Sequence, residues 1–130
     1  MEKPDLAARA DIEQMVDAFY AKVRIDPLLG GIFNGAVQDR WPEHLKKMYR
    51  FWETVLLGKH SYAGRPFRPH RDLPVGEAHF NRWKGLFIET VDHYFAGDKA
   101  EEAKRRAELM AGLFRSKIEF FRNQGSKAIQ

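Results

Sequence analysis

Apolar residues recur along this chain at three- and four-residue spacing, in runs separated by proline- and glycine-rich breaks, which is the pattern of amphipathic helices. Ile12, Met15, Val16, Phe19, Tyr20 and Val23 fall on one stripe and predict the first helix. Asp11, with Gln14 three residues on, resembles a capping box at its start. Asp26-Pro27 ends it, because the residue before a proline is pushed out of the helical region. A short turn or helix through residues 28–33 follows.

The next helix is predicted from Trp41-Pro42, with the proline suited to a first helical turn, to Leu57 before Gly58. Two stripes coexist on it: Trp41, Leu45, Met48, Trp52 and Val55, and, slightly rotated, His44, Met48, Phe51 and Val55. So wide an inward face must touch two things, such as a neighbouring helix and a bound ligand. Residues 58–76 hold Gly58, Gly64, Pro66, Pro69, Pro74 and Gly76, so regular structure is not expected to persist through them. Phe67 and Leu73 give this long connection apolar anchors, and it reads as an ordered, functional segment. A fourth helix, from about 77 to 95, repeats Phe80, Trp83, Phe87, Val91 and Tyr94. The last helix is expected to take Asp98 as its cap, with Glu101 three residues on, and to bury Ala103, Ala107, Met110, Leu113, Phe114, Ile118 and Phe121. No strand alternation or repeat is present, so the fold class is all-α.

Composition adds bounds. At 130 residues, 44% hydrophobic and 13% aromatic, the chain suits one domain spanning 1–130, with a core of about 11–122 and a polar tail, 123–130, expected to fray. Absence of cysteine removes disulfides, thiolate metal sites and covalent haem attachment. No apolar run reaches membrane-spanning length and the N-terminus lacks a secretory pattern, which places the chain in a cytoplasm by expectation. The net charge of +4 raises the question of nucleic acid. Lys and Arg are interleaved with Glu and Asp, as in Glu101-Glu102-Ala103-Lys104-Arg105-Arg106, so a solvated face is the better reading and no nucleic-acid partner is expected. None of the five histidines forms an H-E-x-x-H pair, and no nucleotide-binding glycine motif exists.

Three local patterns, in order and at fitting spacing, resemble group III truncated haemoglobins. They are Phe19-Tyr20-Ala21-Lys22-Val23-Arg24; Trp41-Pro42-Glu43-His44-Leu45-Lys46-Lys47-Met48 with Phe51-Trp52 and Leu56-Leu57-Gly58; and Pro69-His70-Arg71-Asp72-Leu73-Pro74 with Phe80 and Trp83. The resemblance spans about residues 12–121. It lacks the paired glycine signals of the other truncated groups, since Gly30-Gly31 sits in the early turn.

The resemblance implies a shortened globin, helices stacked two over two around a non-covalent haem b (iron protoporphyrin IX). His70 is then the metal ligand, its far nitrogen needing an acceptor such as Asp72 or a backbone carbonyl. Tyr20, Trp83 and His44 would surround a ligand on the opposite face of a five-coordinate iron. Met48 would pack over the iron, and Phe33, Phe51, Trp52, Leu73, Phe80 and Phe87 would form walls. Lys47 and Arg71 would pair with the haem propionates. His60, His79 and His93 have no role in this reading and are taken as surface residues. The residues alone leave other readings open: His70 in a surface loop, Tyr20 as a core tyrosine, Trp83 as helix packing, His44 facing solvent.

The implied ligands are dioxygen, nitric oxide, carbon monoxide or cyanide, with a reductase as partner. Several polar donors around the ligand would slow its escape and suit nitric oxide dioxygenase-like or peroxidase-like chemistry better than delivery. The alternatives are a haem-free globin-fold interaction module and, more remotely, a basic helical nucleic-acid-binding protein.

Overall fold

The computed structural model describes residues 2–62 and 64–129, and among them the chain is built of helices and connections without a strand. α1 (Arg9–Ile25) buries the stripe from Ile12 to Val23 that its periodicity marks out. It starts earlier than the sequence suggests. Asp11 lies inside the helix, and its carboxylate accepts the backbone N–H groups of Ala7 and Ala8, each at 3.0 Å. A carboxylate in the first turn satisfies amides that lack helical partners and complements the helix dipole.

Asp26 closes α1 and is buried. Its Oδ2 accepts the backbone N–H groups of Leu28 and Leu29 at 3.0 Å, while Arg82 Nε donates to Oδ1 at 2.6 Å. α2 (Gly30–Val37) follows, where a short turn or helix is expected over 28–33, and runs four residues further. A Cβ on Gly30 would stand 2.8 Å from the Arg24 carbonyl oxygen, so glycine permits the tight passage from α1 to α2.

α3 (Trp41–Leu57) has Pro42 in its first turn and ends at Gly58, whose φ of +70° is the left-handed conformation that terminates helices. The connection from 58 to 76 contains one 3₁₀ turn, at Arg68–His70, and leads into α4 (Glu77–Tyr94). α5 (Asp98–Ile129) continues as helical backbone past Arg122, where the sequence places the start of a polar tail.

The expected cap of α5 is corrected. Asp98 is already within the helix, and the Asp5 carboxylate, distant in sequence, accepts the N–H groups of Lys99 and Ala100 at 2.9 and 2.8 Å. Leu113 is also corrected: it is 51% exposed, whereas Ala111 faces the core. α1 lies against α2, α3 and α4; α4 runs along α5; α3 meets α5. No helix of the described residues is long and apolar enough to cross a membrane.

Candidate functional site

All five helices and the 58–76 connection contribute to one cavity of about 480 Å³. α1 supplies Tyr20, α2 supplies Phe33 and Val37, and α3 turns His44, Met48, Phe51 and Trp52 inward. α4 contributes Phe80 and Trp83, and the connection contributes Tyr62, His70, Leu73 and Val75. α5 closes the cavity with Met110, Ala111 and Phe114.

His70 sits at the end of the 3₁₀ turn, its ring 5.0 Å from that of Phe114. Its Nδ1 is 2.6 Å from the Pro66 carbonyl oxygen. A carbonyl can only accept, so Nδ1 carries the proton and Nε2 keeps its lone pair. Burial lowers the imidazole pKa, and the Lys47 charge adds to this against the opposing effect of the Pro66 carbonyl. The outcome is a neutral ring in a fixed tautomer. Arg122 steadies the stretch of backbone beyond His70, donating to the carbonyls of Leu73 and Val75 at 2.9 and 2.7 Å.

A second group of polar atoms gathers around Tyr20. Its ring meets His44 edge-on at 5.2 Å and Phe33 at 6.2 Å. Tyr20 is 6% exposed, and burial pushes its pKa well up. His44 Nε2 is buried without a hydrogen-bond partner among the described residues. Burial, with smaller contributions from Lys47 and His70, drives the His44 pKa down to about 4, so this ring too is neutral near pH 7. A buried polar atom left unpaired costs free energy comparable to a lost hydrogen bond, so the His44 nitrogen at the cavity calls for a partner from outside the chain, a water or a ligand.

The wall behind these groups is aromatic. Trp83 stacks on Phe87 at 5.8 Å and 9°, and Phe87 stacks in turn on Trp52 at 4.9 Å and 19°. Phe19 meets Trp83 and Phe87 edge-on. Charge is confined to Arg40, Glu43 and Lys47. Arg40 is tied to the Val37 and Ala36 carbonyls, whereas Lys47 has no carboxylate partner among the described residues.

The structure thus brings Tyr20, Phe33, His44, Lys47, Met48, Phe51, Trp52, His70, Leu73, Phe80 and Trp83 to one cavity. Phe87 is not on its surface: at 1% exposure it forms a second row behind the two tryptophans. Arg71 lies elsewhere, its guanidinium 4.2 Å over the Phe121 ring. Asp72 is exposed, and the far nitrogen of His70 is taken by the Pro66 carbonyl instead. His60 and His93 are exposed, but His79 lines the cavity, with its Nδ1 accepting the Gly76 N–H at 3.0 Å.

Sequence reasoning missed the share of α5 and that of Tyr62. Met110 and Phe114, four apart on the apolar side of α5, carried a usable signal; Tyr62, alone among glycines and prolines, carried none. Among the described residues no three His, Asp or Glu side chains converge as a metal cage.

The model of a family described as bacterial-like globins matches residues 5–117. The group 3 truncated hemoglobin ctb of Campylobacter jejuni subsp. jejuni is 34% identical over 111 residues, covering 82% of this chain and 87% of the relative. The group 1 truncated hemoglobin GlbN of Nostoc sp. is 30% identical over 78 residues, 59% of this chain and 64% of its own length. Among solved structures, the group III truncated hemoglobin from Campylobacter jejuni matches with a TM-score of 0.81 and 32% identity, over 89% of this chain and 94% of that one.

Proposed function

This chain belongs to the bacterial-like globins, as a group III truncated haemoglobin, and on that premise we propose that its cavity binds one haem b through His70 and admits dioxygen or another diatomic ligand beside Tyr20, Trp83 and His44. The observation that carries this reading is the His70–Pro66 hydrogen bond, which prepares a neutral imidazole with a free Nε2 lone pair. The cavity fits the group in other respects. Its volume of about 480 Å³ is within the roughly 300–1,000 Å³ of small-molecule sites, and its walls are flat aromatic and aliphatic surfaces.

When bound, the haem iron supplies a centre for diatomic-ligand binding and one-electron redox chemistry. The chain's own residues do the rest. Pro66 holds His70 in orientation and makes it a stronger donor; Arg122 braces the segment after it. Tyr20 brings an O–H and Trp83 an indole N–H, both donors suited to a ligand carrying partial negative charge. His44, neutral at pH 7, can donate or accept. The aromatic wall keeps water out, which strengthens each of these hydrogen bonds. Lys47 is the cation at the cavity suited to a propionate, whereas Arg40 is tied to backbone carbonyls and Arg71 lies over Phe121.

Several donors around one ligand slow its release, so chemistry on the ligand, of the nitric oxide dioxygenase or peroxidase kind with a reductase as electron source, fits this cavity better than oxygen delivery. The test is an absorption spectrum after haem addition, with the iron reduced and then exposed to oxygen or carbon monoxide. One equivalent of haem is expected to saturate the wild type and give a ligand-sensitive Soret band. His70→Gly is expected to lose most haem retention. Saturation that His70→Gly leaves unchanged would overturn the assignment of the iron ligand.

A further inference from the structure

On the outside of the connection that carries His70 lies a second surface feature, a shallow groove lined by Phe67, Arg71, Ser116, Lys117, Phe120 and Phe121. A run of rings joins it to the cavity. Phe120 meets Phe121 at 5.5 Å, Phe121 stacks on Phe67 at 6.0 Å, Phe67 meets Phe114 at 5.4 Å, and Phe114 meets the His70 ring at 5.0 Å. Phe67 and Phe121 have a structural reason to be there, since they fasten the connection to α5. Phe120 has none: it is 56% exposed. Leu113 and Leu109, seven and eleven residues before it on the same face of α5, extend the apolar strip at 51% and 63% exposure.

The charged residues that line the groove are both cations. Arg71 stands 4.2 Å over Phe121 and Lys117 stands 5.1 Å over Phe67, and neither has a carboxylate partner among the described residues. The neighbouring Glu119 is engaged by Arg115 at 3.1 Å. An exposed apolar centre with unpaired cations beside it is the make-up of a small, electrostatically steered interface. A second copy of this chain is a poor occupant, because it would bring Arg71 and Lys117 toward their own kind.

We propose that this face docks an acidic redox protein that delivers one electron to the iron held by His70. The proposal rests on the haem reading and names the surface through which that site is reduced. In the step, the partner's reduced centre loses one electron and ferric iron gains it, becoming ferrous; no bond in this chain forms or breaks. Docking at Phe120 brings the donor to the outer end of a ring series whose inner end is the imidazole, rather than to the side of the cavity that holds Tyr20.

The experiment uses the haem-loaded protein and reduced flavodoxin, an acidic one-electron flavoprotein, as probe. Stopped-flow reduction is compared for the wild type, R71E/K117E, Phe120→Ser and Arg50→Glu, the last an exposed cation on α3 that lines neither the groove nor the cavity. Free reduced riboflavin serves as the uncharged control, and titration calorimetry with oxidised flavodoxin gives affinity independently of any reaction. We expect R71E/K117E to slow flavodoxin reduction at least tenfold, to weaken binding comparably and to flatten the salt dependence. Phe120→Ser is expected to slow it severalfold, and Arg50→Glu to match the wild type. Riboflavin rates and the haem spectrum should stay constant throughout. Equal flavodoxin rates and affinities in R71E/K117E and wild type would overturn the proposal while leaving the haem reading intact, whereas a missing Soret band would overturn the haem reading itself. Sedimentation of a wild-type dimer that Phe120→Ser dissociates would assign the face to a second copy instead.

Discussion

At the scale of single residues, the cavity sets a few polar groups, Tyr20, His44 and His70 among them, in an apolar surround. On the proposed reading Tyr20 and Trp83 offer an O–H and an N–H to one small ligand, and a hydrogen bond to a partly charged acceptor is worth about 1.5–3 kcal/mol. Tyr20→Phe is therefore expected to speed oxygen release roughly ten- to hundredfold, as read by stopped-flow displacement with carbon monoxide. A smaller change for Trp83→Phe would place the tyrosine nearer the ligand. His44 makes a prediction about pH. Its pKa falls from 6.5 in the unfolded chain to about 4 in the folded one, so between these values the unfolded state takes up the proton more readily. The apoprotein is thus expected to keep this contribution above pH 6.5 and to lose it as pH falls toward 4. The loss is about 2 kcal/mol at most after allowance for solvent screening. Urea midpoints for His44→Gln should fall less over the same interval than those of the wild type.

At the scale of elements, helix ends and connections are tied by groups far away in sequence. Asp5 caps α5, and removing such a cap costs about 1 kcal/mol of unfolding free energy, so Asp5→Ala should lower the urea midpoint by roughly 0.3–1 M without altering the haem spectrum. Arg122 holds two carbonyls of the segment after His70. Arg122→Ala is expected to leave haem binding possible but to accelerate haem transfer to apomyoglobin severalfold, since the ligand loop loses a brace; an unchanged transfer rate would remove that role.

The same distinction explains what could be read from the residues alone. The α1 stripe was legible because a helix facing several neighbours must repeat its apolar positions every three or four residues. The cap of α5 was not, because Asp5 and Lys99 are brought together by the fold and nothing local marks the pair. Phe80, Trp83 and Phe87 share one stripe, yet periodicity gives angle and not depth, so it could not separate two cavity residues from the one behind them. His70 was singled out through family resemblance; the Pro66 carbonyl that orients it depends on the backbone path of the connection, which no side-chain pattern records.

At the scale of the molecule, chemistry and contact are separated. The cavity collects neutral polar atoms and aromatic walls, with Arg40, Glu43 and Lys47 as its charged lining, while Arg71 and Lys117 stand beside Phe120 on the outside. All three tryptophans lie at or beside the cavity, with Trp41 5.7 Å from Tyr20 and Trp52 and Trp83 in the lining. Haem titration should therefore quench most of the intrinsic fluorescence, with a break at one equivalent; residual emission above about half would place the haem elsewhere. The near-parallel stack of Trp52, Phe87 and Trp83 has an optical consequence of its own. Aromatic chromophores held face to face in a chiral frame couple their transition dipoles, so the apoprotein should carry a near-ultraviolet dichroism signal that Phe87→Leu abolishes. That signal gives the cavity wall a colour of its own, against which the arrival of any coloured guest can be timed.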